Sequence, residues 1–329
     1  MLKIIGIGNA LVDIMTSLEE DEFLEINELP KGSMQLVEAE KSAELLKAAA
    51  KLKKQQVSGG ATANTIRSLA KLGVETGFIG KVGNDELGNF YEKELTDYGV
   101  KPRMMRADIP TGTALALVSK DGERTFATHL GAAISLIPED LKDEDFEDYN
   151  ILYLEGYLVQ NHDLLTRAAE ISKKKNLQLA IDLASYNIVS AEKEFLKPFI
   201  RDHVDILFAN EEEAESFFPG KSPEEAVIAF AEMVDTAIVK IGPRGALIHR
   251  GDQKVLVEGR PAQCLDTTGA GDNFAAGFLY GLSEGLDLKH AGDIANLLGA
   301  NVIEVVGTSM DDVRWGSIKN EIRKIQNNP

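Results

Sequence analysis

Asp266-Thr-Thr-Gly-Ala-Gly-Asp272-Asn-Phe-Ala-Ala-Gly-Phe-Leu-Tyr-Gly281 reads as a loop of small residues running directly into a helix. The apolar face of that helix includes Phe274, Phe278 and Leu282, the spacing of a helix packed on a core. Gly269, Ala270 and Gly271 let backbone N–H groups approach an anion closely, and a helix N-terminus adds the positive end of its dipole. Asp272 then falls in the first turn, where a carboxylate can accept a proton from an alcohol while amides hold a transferring phosphoryl group. The plainer alternative is a Gly-rich loop with Asp as a helix cap. Two glycines flanking an alanine after Asp-Thr-Thr are more than capping requires.

Outward from this stretch, apolar β-type runs alternate with amphipathic helical ones. Strands are predicted at Lys3–Ile7, Gly77–Lys81, Ala114–Ser119, Thr125–His129, Ile151–Glu155, Leu177–Asp182, Ile206–Asn210, Ala237–Ile241 and Ala246–His249. Several are near-continuous apolar runs, which suits parallel strands buried on both faces. Helices are predicted at Glu40–Lys54, Ala63–Leu72, Asp85–Tyr98, Asp163–Lys175, Glu192–Arg201, Pro223–Val234, Asp272–Glu284, Leu288–Val305 and Asp311–Ile325. The alternation predicts an α/β fold, a doubly wound sheet with helices on both faces. Residues 14–39 and about 103–130 break it with more β and turn character, and DGER at 121–124 is a hairpin signal. The two insertions are read as one small β-sheet, a lid over the main sheet. No repeat, linker or low-complexity tract divides the 329 residues, so residues 1–329 are read as a single domain.

Composition narrows the function. With 35 basic against 53 acidic residues the net charge is −18, which repels phosphates at long range and argues against a nucleic-acid partner. An anionic substrate must therefore be captured by local dipoles and a few placed cations. One cysteine, Cys264, cannot form an internal disulfide, which fits a reducing cytosol. The opening MLKIIGIGNALVDI has no signal-peptide pattern, and no run reaches the roughly 18 apolar residues of a membrane span. A cytoplasmic protein without membrane contact is expected.

Several further stretches fall into place with the first. GGATANTIRSLAKLGVETGFIGKVGNDELG at 59–88, GNALVDI at 8–14, Asn210-Glu-Glu-Glu213 and Lys240-Ile-Gly-Pro-Arg-Gly245 stand in order along the chain. Together with DTTGAGDNFAAGFLYGL they resemble the ribokinase-like (PfkB) carbohydrate kinase family from residue 8 to about 308. The long first lid segment and the GNALVDI opening are more similar to the adenosine-kinase branch than to the ribokinase branch. The resemblance implies a ribokinase-like fold and ATP-dependent phosphorylation of a hydroxyl on a nucleoside or sugar. It implies Asp272 as catalytic base, with Gly269, Ala270 and Gly271 as the anion hole. Asp13, Gly59, Gly60 and Asn64 would hold substrate hydroxyls. Asn210 and Glu213 would organise Mg²⁺ and the phosphates, largely through water, while Lys240, Gly242 and Gly245 lie on the nucleotide side and Asn296 faces the adenine. Asp266 and Thr268, with carbonyls near Gly307, resemble the family's site for a monovalent cation such as K⁺.

Other signals weigh less. Gly6-Ile-Gly8 hints at a dinucleotide fingerprint, but Leu11 holds the third glycine position. Gly220-Lys221-Ser222 mimics the end of a P-loop, yet Glu215 and Pro223 make it a loop before a helix. The five His residues show no metal-ligand spacing; His129 faces either substrate or structure. Lys240 in an apolar strand is open to a structural ion pair, and Arg103, Arg106 and Arg124 keep a sugar-phosphate acceptor open. A purine needs an apolar slot, and Phe23, Leu24, Ile26, Leu29 and Met34 in the lid supply either that slot or the lid's own core. A non-catalytic nucleotide or sugar sensor on this fold is the remaining class, disfavoured by the intact Asp272 loop. Monomer and homodimer both fit, since the lid sheet can cover one site or pair with a second copy.

Overall fold

IIGI, ILYLE, ILFA and TAIV are buried along their whole length, as strands sandwiched between two helical layers must be. The computed structural model describes residues 2–121 and 123–327; Gly122 of the DGER turn lies outside them, as do the side chains of Met34 and Lys51. The strands in chain order are β1 (Ile4–Ile7), β2 (Leu11–Ser17), β3 (Met34–Leu36), β4 (Lys54–Gly59), β5 (Thr76–Gly83), β6 (Lys101–Ala107) and β7 (Gly112–Val118). They continue as β8 (Arg124–His129), β9 (Ile151–Glu155), β10 (Gln178–Asp182), β11 (Ile206–Asn210), β12 (Thr236–Lys240), β13 (Gly245–Arg250) and β14 (Gln253–Glu258).

The main sheet runs β14-β13-β12-β11-β10-β9-β1-β5-β6. It is parallel from β12 to β6, with β13 and β14 added antiparallel. Ile4 lies opposite both Thr76 and Ile151. Side chains alternate between two cores: Ile4, Phe78 and Phe208 pack into one, Ile5, Ile7 and Leu152 into the other. From β1 the chain builds outward to β5 and β6, then returns to β9 on the other flank. That reversal opens a crevice at the carboxyl ends of the strands, where ligands of doubly wound sheets bind. Glu155, Asp182, Asn210 and Lys240 are the terminal residues of their strands at that edge.

The small sheet runs β3-β8-β7-β2-β4. Its strands come from 11–59 and 112–129, which differs from the expected insertions at both ends. β6 leaves the second insertion and pairs in parallel with β5 at the edge of the main sheet. β4, expected as the end of a helix and the start of a loop, pairs antiparallel with β2. The polar run KQQ at its start is exposed on an edge, and this hides the strand from an alternation test. The helix expected from Glu192 begins at Tyr186, capped by Ser185 Oγ, which accepts from Asn187 N at 3.3 Å. No helix among the described residues is long and apolar enough to cross a membrane.

Candidate active site

Two helix N-termini meet above the crevice. Helix Ala270–Ser283 starts after Gly269, whose φ of 74° puts it in the left-handed region, and helix Ala61–Leu72 packs against it. Asn64 Nδ2 donates to Asp272 Oδ2 at 2.9 Å, and Thr65 Oγ1 donates to the Asp272 carbonyl at 3.1 Å. Asn64 Oδ1 accepts from Arg67 Nη2 at 2.7 Å. A guanidinium cannot accept, so this bond fixes which way round the Asn64 amide sits and aims its NH₂ at Asp272. Desolvation pushes the Asp272 carboxyl up to about 7, and the Asn64 bond only partly offsets it. A carboxylate with that affinity is suited to taking a proton near neutral pH. The Ala270 amide donates to the Thr267 carbonyl at 3.1 Å. The next amides of the first turn, Gly271 and Asp272, are the helix's open donors.

Asp13 lies on β2 against Gly59 at the end of β4. A Cβ on Gly59 would sit 2.2 Å from the Asp13 carboxyl, so only glycine leaves room for the carboxylate. Desolvation raises Asp13 to about 7, with Arg67 lowering it and Glu94 raising it. Arg67 is buried; it also donates to Ser58 Oγ at 3.2 Å and Thr308 Oγ1 at 3.0 Å, and lies 3.9 Å from Glu94. One buried cation thus serves both the Asp13 side and the Asn64–Asp272 side. Asp13 opens onto a pocket of about 30 Å³ walled by Met15, Val57, Ala116, Phe126 and Arg124.

The first turns of the Asp272 helix border an open cleft of about 930 Å³, lined by Ala270, Gly271 and Phe274. Asn210, Lys240, Gly242, Gly245, Ala270, Gly271 and Asn296 all line it. Asn210 and Glu213 form a reciprocal cap of helix Glu211–Phe217: Asn210 N and Nδ2 each donate to the Glu213 carboxylate at 2.8 Å, and Glu213 N returns a bond to Asn210 Oδ1. Desolvation lifts Glu213 to about 7, opposed by Lys240. Lys240 Nζ pairs with Asp182 Oδ2 at 2.6 Å, so the structural ion pair is present. The ammonium also faces Gly271, where a Cβ would be only 3.2 Å away. Burial works against the Lys240 charge, but Asp182 and Glu213 outweigh it and hold the ammonium above its ordinary range. Asn296 Nδ2 donates to the carbonyls of Val257 at 3.2 Å and Glu258 at 2.9 Å.

Asp266 and Thr268 adjoin, Thr268 Oγ1 donating to Asp266 Oδ1 at 2.7 Å, and the Arg124 guanidinium pairs with the same carboxylate. His129 Nδ1 contacts the Val37 carbonyl at 3.2 Å, a structural engagement. Arg103 pairs with Asp145, and Arg106 with Glu92 and the Gly83 carbonyl, which leaves only Arg124 of the three at the small pocket. Leu24 and Leu29 are buried in the core with Phe23 packed against it, while Ile26 is 71% exposed. None of these four lines the small pocket, and the Met34 side chain lies outside the described residues. The sequence reading missed Arg67, Asp182 and Glu155. Glu155 is buried, pushed up by desolvation, and accepts from Asn9 N at 3.0 Å, Asn9 Nδ2 at 2.7 Å and Thr62 N at 2.9 Å. It ties the β1 end to the helix that carries Asn64.

Residues 26–314 match the pfkB family carbohydrate kinase model. The adenosine kinase from Sinorhizobium meliloti superposes with a TM-score of 0.85 at 32% identity, over 97% of this chain and 99% of that one. A probable sugar kinase protein from Rhizobium etli gives 0.86 at 31% identity, over 97% and 98%. An uncharacterized sugar kinase of Archaeoglobus fulgidus is 30% identical over 244 residues, 73% of this chain and 95% of that protein. With the family match taking in the larger cleft, the Asp272 helix and all of the small pocket's lining except Asp13 and Met15, the chain belongs to the pfkB family of carbohydrate kinases, ATP-dependent phosphotransferases that act on a small-molecule hydroxyl.

Proposed function

We propose that the acceptor is a nucleoside of the adenosine type, held in the small pocket, with ATP in the larger cleft and Asp272 between them as general base. The observation that carries the choice of acceptor is the pocket wall. Met15, Val57, Ala116, Phe126 and Val306 offer one apolar and aromatic side, facing Asp13, Gln55, Arg124, Thr268, Thr308 and Ser309. A nucleoside presents a flat apolar base to the first side and ribose hydroxyls to the second, whereas a free sugar turns hydroxyls to both and finds partners only on the polar side. The likeness to the S. meliloti adenosine kinase supports the same reading. The likeness to the probable sugar kinase of R. etli and the uncharacterized sugar kinase of A. fulgidus supports a sugar as the second reading. Arg103 and Arg106 are engaged elsewhere, which weighs against a sugar phosphate.

In this reading Asp13 receives acceptor hydroxyls, and Asp272 takes the proton from the attacking one. The amides of Gly271 and Asp272, with Lys240 beside them, face the charge that develops on the transferred phosphoryl group. Mg²⁺ bound with ATP supplies charge to the phosphates. The Glu213 carboxylate, oriented by two bonds from Asn210, has lone pairs left for waters around such an ion. At about 30 Å³ the small pocket is far below the size of a nucleoside. In this reading the small sheet is a lid that rises to admit the acceptor and closes again to exclude water.

Side-by-side kcat/KM values for adenosine, inosine, ribose and fructose decide the acceptor. A nucleoside is expected to lead; a free sugar ahead by about tenfold, some 1.4 kcal/mol of transition-state discrimination, overturns the reading. Gly59→Ala tests the hydroxyl site separately. Crowding Asp13 is expected to raise the acceptor KM about tenfold or more and leave the ATP KM within about twofold. An unchanged acceptor KM removes Asp13 from the acceptor site.

A further inference from the structure

The Asp266 carboxylate has donors on every side. Oδ1 accepts from Thr268 N at 3.0 Å and Thr268 Oγ1 at 2.7 Å. Oδ2 accepts from Gly307 N at 2.6 Å and pairs with Arg124 Nη1. A carboxylate has about four lone-pair sites, and these four donors fill them. Arg124 Nη1 also reaches Thr268 Oγ1 at 3.2 Å. The pair is enclosed, the side chains being 12% and 5% exposed. Asp266 and Thr268 are the residues for which the family resemblance implies a monovalent cation. A metal ion cannot donate a hydrogen bond into a filled carboxylate; it would have to displace the guanidinium. The donor set present does not fit that ion.

We propose that Arg124 is a tethered cation that takes the place of the free monovalent ion. Its positive charge balances Asp266 and braces the loop 266–271 that leads into the Asp272 helix. Since Arg124 opens β8 of the small sheet and Asp266 belongs to the body, the charge partner arrives with the sheet. The loop is then fully braced only when the sheet is seated, and a seated sheet is also what walls the small pocket. Arg124 acts here through the loop, as a positioning residue.

The inference rests on the kinase reading, and the test keeps the two apart by adding a readout that needs no turnover. Phosphotransfer and melting temperature are measured in choline, sodium and potassium chloride at one ionic strength, for the wild-type protein, Arg124→Met and Arg124→Lys. The wild type is expected to show rates within about 1.5-fold across the salts and melting points within about 1 °C. Arg124→Met should lose about tenfold or more in kcat with a smaller change in ATP KM. Potassium, and not choline, should then restore its rate by about threefold or more and raise its melting point by about 2 °C or more, the mark of a vacated site that now binds the ion. Arg124→Lys keeps a tethered charge and should lose less than Arg124→Met while staying indifferent to potassium. Activation of the wild type severalfold by potassium overturns the proposal, and so does a folded Arg124→Met that responds to potassium in neither readout. Should the Met variant not fold, the wild-type series still decides. Absence of any phosphotransfer would count against the kinase reading alone, since the melting series still tests Arg124.

Discussion

Asp272→Asn is expected to cut kcat by about 10²-fold or more, with the ATP KM within about twofold. The side chain keeps its size, and its carbonyl can still accept from Asn64 Nδ2, so the local geometry has what it needs to persist. What is lost is the site for the acceptor's proton. The pH profile gives a second signature. Burial raises the Asp272 carboxyl to about 7, and a base works only when deprotonated. The wild-type rate should therefore climb between about pH 6 and pH 8, and the residual rate of the variant should lose that rise. Asp13 and Glu213 are lifted to the same region, so the wild-type profile alone does not assign the rise; its loss in the variant does. Stability carries the opposite sign. A carboxyl whose folded affinity for protons is raised stabilises the fold below the ordinary carboxylate range, and loses that contribution as pH rises toward 7. The variant has no charge to bury, so its melting point relative to the wild type should improve from about pH 5 to about pH 8. A variant with near-full kcat ends the base assignment.

Arg67→Met should be the most damaging single change to stability, by roughly 3 to 5 kcal/mol, because it leaves a buried network without its cation. Arg67 is 3% exposed and bonds Ser58, Asn64 and Thr308, with Glu94 at 3.9 Å and the Tyr98 ring centroid 5.1 Å from its guanidinium carbon. Methionine fills the volume of the stem but returns none of these bonds. Glu94, which also accepts from Ser58 N and is one-fifth exposed, then loses the ion pair it makes with Arg67. In a chain of this size the loss corresponds to a fall of roughly 5 °C or more in melting temperature. Activity should fall as well at temperatures where the variant is folded, since the Asn64 amide is no longer held with its NH₂ toward Asp272. A melting point within about 1 °C of the wild type contradicts the assignment of Arg67 as the cation of this network.

The strands whose carboxyl ends border the candidate site were legible because burial on both faces forces continuous apolar runs, as in ILYLE and ILFA. The Asp272 loop, Gly59-Gly60 and Asn210-Glu213 were legible because close backbone approach and reciprocal capping demand particular residues at fixed spacing. The missed parts failed for physical reasons. β4 and β6 are edge strands, and their exposed polar residues erase the alternation. Tyr186–Ser190 holds the β-branched pair Ile188-Val189, which masks the first turns of a helix. Arg67 in TIRSLAKL looks like a solvated helix cation, and only tertiary placement buries it. Glu155 and Asp182 close apolar strands without belonging to any motif. A lone carboxylate at the carboxyl end of a buried parallel strand was the one signal that pointed to them. The lid's apolar residues were read by composition alone, which cannot say which way a side chain faces. Leu24 and Leu29 turned out to face the core.

The pairing of β2 with β7, Leu11 opposite Gly112, has a bearing on how the chain is made. β2 stands between β4 and β7, so the small sheet is stitched from two distant parts of the polypeptide. During synthesis β2 and β4 can form a hairpin early, but their third strand emerges only after β5 and β6 have been made. Closing so long a loop is slow unless the intervening chain is already compact. This topology favours pairing of β1, β5 and β6 as a platform before the five-stranded sheet is completed. Until β7 is made, the edge of β2 that it covers stands unpaired, the kind of strand edge that invites pairing with other chains. A truncation ending before β7 would retain Asp13, Gly59 and Asn64 in its sequence and still lack the small pocket, because Ala116, Arg124 and Phe126 complete its wall.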